Sequence, residues 1–158
     1  MRIQIFSDLH ADVLPIKHIV LAEGIDVVVV AGDTCEGARR AFERLRQIVP
    51  LAIPIVMVMG NHEYYRRFLP PELEEARALA PSFNVHLLED AEVTLGGTRF
   101  VGATLWTDYR LFGDTGPGHA DLRGRHERSP LHRLAEEAVA PFPAAGGGAA
   151  ASTLAFVY

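Results

Sequence analysis

The chain carries one cysteine, no excess of positive charge and no long apolar run. A single thiol, Cys35, rules out an internal disulfide framework and suits a reducing cytoplasm, where we expect the protein to reside. The formal net charge of −5 and a pI of about 5.8 leave no broad basic surface for a phosphate backbone, so nucleic acid is a poor partner. Apolar runs such as residues 27–31 are far too short to span a bilayer, and no membrane association is expected. Residues 1–5 already read as a strand, not as a charged segment leading into an apolar leader. No internal repeat is visible. What remains is one domain's worth of chain, 158 residues with 49 % hydrophobic content, sufficient for a substantial core.

The first part of the chain alternates strand and helix. Residues 2–6, 26–31 and 53–59 are short and rich in Val and Ile, the pattern of strands buried on both faces of a parallel sheet. Between them the spacing predicts a helix over residues 13–23, with Asp12 as its cap, Pro15 in its first turn and Gly24 at its end. A second helix is predicted over residues 35–49, stopped by Pro50. This order describes βαβ crossovers and a doubly wound α/β core. Pro70 and Pro71 then open a charged helix reaching Leu79, in which Glu72, Glu74 and Glu75 read as a solvated face. Residues 85–88, 91–95 and 98–105 read as strands, with Gly96-Gly97 as a hairpin turn. Hairpins in place of crossovers imply a second sheet or an antiparallel edge.

Three polar clusters stand where hydrophobic runs end: Asp8-Leu9-His10, Gly32-Asp33 and Gly60-Asn61-His62-Glu63. The carboxyl ends of neighbouring parallel strands lie side by side, so such residues converge in one crevice. Asp8 and His10, two apart, point to the same side in extended geometry. A carboxylate plus an imidazole suits Zn²⁺, Mn²⁺ or Fe better than an all-oxygen Mg²⁺ or Ca²⁺ site. Gly32 permits the sharp turn that brings Asp33 into the crevice, where its carboxylate could bridge two metals. Asn61 offers an amide oxygen to a metal or a phosphate, and His62 can carry a proton near neutral pH, oriented by Glu63. Singly, each residue has an ordinary structural role. An aspartate after a strand caps the next helix, which is the reading given to Asp12 and one that stays open for Asp33. The conjunction of three clusters on three strands is what points to a site.

Ser7-Asp8-Leu9-His10, Ala31-Gly32-Asp33-Thr34 and Gly60-Asn61-His62-Glu63, in this order and spacing, resemble the first three motifs of the calcineurin-like metallophosphoesterases. Residues 102–107 are similar to the strand and loop that follow them in bacterial members, which extends the resemblance from Met1 to about Asp114. It implies an α/β fold, a four-layer αββα sandwich, with a dinuclear metal centre between strand ends. Asp8 and His10 would bind the first of two divalent ions (Mn, Fe or Zn), Asp33 would bridge both, and Asn61 would bind the second. His62 would be the catalytic proton donor, and Asn61 and His62 would face a small phosphorylated substrate. Two metals generate a nucleophile at neutral pH and clamp the phosphoryl oxygens, while proton donation to the leaving group is worth roughly 10²–10⁴ in rate.

The family pattern continues with a later His and a Gly-His-x-His motif, and neither is found. Gly118-His119 is followed by Ala120-Asp121, and His126 and His132 stand alone in polar sequence, so all three histidines read as solvated loop residues. We therefore expect a metallophosphoesterase-like domain over residues 1–114, truncated there, and an atypical Ala/Gly/Pro-rich tail over residues 115–158. A frameshift or a disordered segment would account for that tail. Within it, residues 131–139 suit a short helix and residues 154–158 a strand. The function expected is hydrolysis of a phosphomonoester or phosphodiester; the alternative is an inactive remnant with weak or no metal binding. Cys35 reads as a small buried residue. Tyr64, Tyr65, Arg66 and Arg67 fit substrate contact and the covering of apolar surface equally well. Trp106 suits packing in the second sheet, with Tyr109 near the mouth of the site, and His18 and His86 are structural or surface residues. Oligomeric state is not written in the sequence.

Overall fold

Val27, Val28, Val29 and Val30 are each 1 % exposed or less, which a strand achieves only when both of its faces are covered. The computed structural model of the chain describes residues 1–13, 16 and 19–104 and the backbone of 153–157. Four parallel strands, β1 (Ile3–Phe6), β2 (Val27–Ala31), β3 (Ile55–Val58) and β4 (Val85–Leu87), form one sheet in the order β1-β2-β3-β4. Helix α1 (Ala38–Ile48) connects β2 to β3, and helix α2 (Leu69–Leu79) connects β3 to β4. A second sheet contains β5 (Ala91–Leu95), β6 (Thr98–Ala103) and β7 (Thr153–Val157), with β5 antiparallel and β7 parallel to β6. The β5–β6 turn is Gly96-Gly97 at φ 52° and 78°, the positive values that a two-residue hairpin turn demands.

The period of two along the central strands sorts their side chains into two cores. Val28, Val30, Ile55 and Met57 pack with Ala38, Ala41, Phe42 and Leu45 of α1. Val27, Val29, Val56 and Val58 pack instead with Leu88 and Phe100 on the side of the second sheet. The described layers are thus helices, parallel sheet and second sheet, an α/β arrangement consistent with the metallophosphoesterase-like sandwich. Helices do not cover both faces as a doubly wound core would require, because hairpin β5–β6 takes the second face. The sheets approach closely at Gly102, where a Cβ would stand 2.7 Å from Val58 Cγ1 and 2.9 Å from Leu88 Cβ.

The helix expected over residues 13–23 is not formed at the described positions 16 and 19–23. Edge strand β1 takes that segment another way. The Gln4 amide donates from Nε2 to Val20 O at 3.1 Å and accepts from Ala22 N at 2.9 Å, while Arg2 Nη1 donates to Glu23 O at 3.1 Å. Side chains of β1 thereby satisfy backbone groups that a helix would have paired internally. Residues 14, 15, 17, 18, 105–152 and 158 lie outside the described residues. The readings given to Pro15, His18, Trp106, Tyr109, His119, His126, His132 and residues 131–139 fall there.

Two polar side chains secure the ends of α1. Its cap position is Gly37 at φ 84°, with no side chain to cap the helix. Glu72, expected on a solvated face, is instead 5 % exposed and accepts from Ala38 N at 2.7 Å, a carboxylate at the positive end of the helix. Glu74 and Glu75 are exposed as expected. At the other end the Arg46 guanidinium donates to Phe83 O (2.7 Å), Val49 O (3.2 Å), Pro50 O (2.8 Å), Ile53 O (3.0 Å) and Asn84 O (2.9 Å). One planar fork thus gathers the carbonyls of the two turns that precede β3 and β4. Replacing Arg46 with Lys keeps the charge and loses the fork, so stability to urea should fall by about 2 kcal/mol or more. An unchanged denaturation midpoint would overturn the role given to Arg46.

Candidate metal centre

Each polar cluster follows its strand, and the chain leaves the first two strands through left-handed backbone. Asp8, His10 and Asp33 have φ of 54°, 45° and 51°, and Gly32 has 70°. Residues other than glycine adopt this region at a cost, and such positions concentrate where a side chain must be aimed. Asp8 and His10 therefore converge by turns, not by the extended geometry expected of them. The loops hold each other through Asp8 N to Gly32 O (3.3 Å), His10 N to Asp33 O (3.0 Å) and Ala11 N to Thr34 O (2.7 Å). Ser7 Oγ bonds both Asp8 Oδ2 and Ala31 O.

The third loop is locked to the second by Glu63. Its side chain is fully buried and accepts from Gly60 N (2.8 Å), Asp33 N (3.1 Å) and Thr34 N (2.7 Å). Burial pushes its carboxyl up to about 7, an effect that the backbone donors oppose and the Asp33 charge reinforces. Glu63 thus serves the Asp33 loop and not His62, the partner expected for it. His62 is fixed by its own backbone, which donates to Asp33 Oδ1 at 2.8 Å.

The result is a compact donor set. His10, Asp33 and His62 each present one ligand atom within 4.8 Å of the others. His10 Nδ1 and His62 Nδ1 are 3.3 Å apart, so when both rings are neutral one of these nitrogens donates and the other accepts. Asp12 Oδ2 lies 3.5 Å from the same His62 nitrogen. The aspartate expected to cap a helix thus faces the cluster, since the turn at residues 11–13 replaces that helix. Asp8 Oδ1 is 3.8 Å from His10 Nε2, with the Asp8 side chain 54 % exposed at the rim. Asn61 follows β3 at the head of the turn His62–Tyr64, and its Nδ2 donates to Tyr65 Oη at 2.9 Å. The Tyr65 ring stacks on His62 at 4.3 Å between centroids.

The neighbours divide. Tyr64 is buried and burial drives its hydroxyl above the ordinary range, whereas Tyr65 is 47 % exposed. Arg66 points outward, 3.8 Å from Glu36, and Arg67 pairs with Glu72. Cys35 is 1 % exposed, and burial and the Glu63 charge push its thiol up to about 11. Asp12 is the participant that sequence reasoning left out of the site, whereas Tyr65, read as a substrate contact or a cover for apolar surface, bonds Asn61 and stacks on His62. Asp12 lies two residues beyond His10 on a non-helical turn, a spacing that could have placed it with Asp8 and His10.

The family model described as calcineurin-like phosphoesterase matches residues 1–134, a span that contains all three clusters and runs past Asp114. No curated protein matches the chain.

Two outcomes follow from the burial of these groups. Glu63→Ala would leave three buried N–H donors unpaired, each costing about 1–3 kcal/mol, so the variant should lose at least about 3 kcal/mol in urea denaturation. Wild-type stability would refute the latch. Cys35 should react with a thiol reagent only as fast as the protein opens, and labelling in native buffer at the rate of free cysteine would contradict its burial.

Proposed function

The chain belongs to the calcineurin-like phosphoesterase family, and from that premise we propose that it hydrolyses a small phosphomonoester or phosphodiester in a metal-dependent reaction. The observation that carries this reading is the convergence of His10, Asp33 and His62 within 4.8 Å at the ends of parallel strands. His10 and the Asp33 carboxylate are mixed nitrogen and oxygen donors of the kind that Mn²⁺, Fe or Zn²⁺ accept, with the His62 imidazole beside them. The residues therefore fit a divalent ion. Asp8 and His10 would hold one ion, Asp33 would be shared with a second, and Asn61 would offer its amide oxygen to that second ion. Bound there, divalent ions supply positive charge toward the phosphoryl oxygens and lower the pKa of water.

The protein's own groups then supply position and protons. Left-handed turns at Asp8, His10 and Asp33 fix the carboxylates and the imidazole before substrate arrives, and preorganised groups need no rearrangement during reaction. In the proposed reaction His62, with the Asp12 carboxylate 3.5 Å from its Nδ1, donates a proton to the leaving-group oxygen as that oxygen's bond to phosphorus breaks. Asn61 and His62 face the substrate. Membrane-spanning chemistry is not part of the reading, because among the described residues no helix is long and apolar enough to cross a membrane. A reducing cytoplasm suits the buried Cys35 thiol.

The test is hydrolysis of an aryl phosphate monoester and a bis-aryl diester with added Mn²⁺. Asp33→Ala should abolish turnover, and His62→Ala should lower kcat by about 10²–10⁴. Equal rates for wild type and Asp33→Ala would overturn the catalytic reading and favour a non-catalytic remnant. That second reading draws on the sequence after residue 114, where no Gly-His-x-His follows a hydrophobic strand.

A further inference from the structure

Tyr65 is the one side chain described as touching both Asn61 and His62, and it does so through different parts of itself. Its hydroxyl oxygen accepts from Asn61 Nδ2 at 2.9 Å. Its ring lies on the His62 imidazole at 4.3 Å between centroids and 33° between planes. We propose that Tyr65 is a positioning residue for the metal centre, holding the Asn61 amide in the orientation that leaves its oxygen available to a divalent cation.

The argument begins with the amide's two ends. An asparagine side chain carries an NH₂ that only donates and an oxygen that accepts, and only the oxygen can bind a metal ion. A phenol hydroxyl can donate as well as accept, so it is the observed pairing with Nδ2 that sets the amide's orientation and turns its oxygen away from that partner. Tyr65 Oη is that partner, and the i to i+4 spacing across the short turn His62–Tyr64 brings it there. The turn is closed by Tyr64 N to Asn61 O and Tyr65 N to His62 O, both 3.1 Å, so the relative placement of residues 61 and 65 is fixed by backbone. Its orientation is further constrained on the ring side by His62, whose backbone is bonded to Asp33.

Tyr65 stands on a loop shaped for something other than the core. It is 47 % exposed and is followed by Arg66 at φ 57°, a left-handed residue that is not glycine. Exposure and strain on a loop beside the donor cluster are the features of a position shaped by a site, not by the core. Outer partners that orient a metal's ligands typically change affinity about 10–100-fold when removed.

The inference rests on the metal-dependent reading above, and Mn²⁺ titration calorimetry on the full chain separates the two. Tyr65→Phe keeps the ring on His62 and removes only the hydroxyl. Its Mn²⁺ affinity should fall about 10-fold or more, with the melting temperature of the metal-free protein unchanged. In an Asn61→Ala background the same substitution should have no further effect, because the amide it orients is gone. Wild-type affinity in Tyr65→Phe, or an equal loss in the presence and absence of Asn61, would overturn the role of Tyr65 while leaving the metal site standing. Absence of Mn²⁺ binding by the wild-type chain would overturn the metal-dependent reading and this inference with it. Tyr65→Leu, which also removes the ring, gives a second check: it should lower kcat for an aryl phosphate further than Tyr65→Phe does, through loss of His62 placement.

Discussion

A buried carboxylate accepting three backbone hydrogen bonds ties together the two loops that leave the paired strands β2 and β3. Glu63 takes N–H groups from Gly60 on its own loop and from Asp33 and Thr34 on the neighbouring one. These donors belong to residues leaving β3 and β2 through turns, where no strand can pair them. Left alone, each would be a buried unsatisfied group, and the loops would reorganise to reach water. Because Glu63 satisfies them together, Asp33 is held at its left-handed φ, and its carboxylate in turn accepts from His62 N. The first loop joins through His10 N and Ala11 N, which donate to Asp33 and Thr34 carbonyls. Position at the donor cluster is thus passed along main-chain bonds, with Glu63 at the centre.

The same device recurs away from the site, where an ionic side chain stands in for missing secondary structure. Glu72 caps α1 because Gly37 cannot, and Arg46 collects five carbonyls of irregular backbone after α1 and before β4. Gln4 does this with a neutral amide along the edge strand. In a small α/β unit whose apolar surface is taken up by two thin cores, loop geometry is set by such polar groups. They also carry the free energy of ordering the loops, which apolar packing alone does not reach.

These groups explain which features of the sequence could be read. β2, β3, α1, α2 and the Gly96-Gly97 hairpin were legible because they follow local rules: Val and Ile runs, proline at a helix start, glycine at positive φ. The three clusters were legible because each stands at a strand end. The helix over residues 13–23 is not formed at its described positions, where Gln4 of β1 takes the Val20 carbonyl and the Ala22 N–H that a helix would have paired internally. Nothing in residues 13–23 signals that competition. Glu72 and Glu63 were misjudged for a related reason. Glutamates beside other charged residues look solvated or look like partners of the nearest histidine, and their actual partners are backbone N–H groups, all but that of Gly60 about 30 residues away. Backbone donors leave no mark in a sequence.

Asp12 shows how one such error spreads to the site. Read as a helix cap, it drops out of the chemistry; with a turn at residues 11–13 in place of that cap, its carboxylate faces His62 at 3.5 Å. Asp8, Asp12 and Asp33 then surround two imidazoles 3.3 Å apart. Asp8 stands at the solvent-exposed rim of this group, where water screens its charge. The turns that aim these side chains therefore assemble, through backbone geometry, the mixed nitrogen and oxygen donors that a divalent ion such as Mn²⁺ or Zn²⁺ accepts.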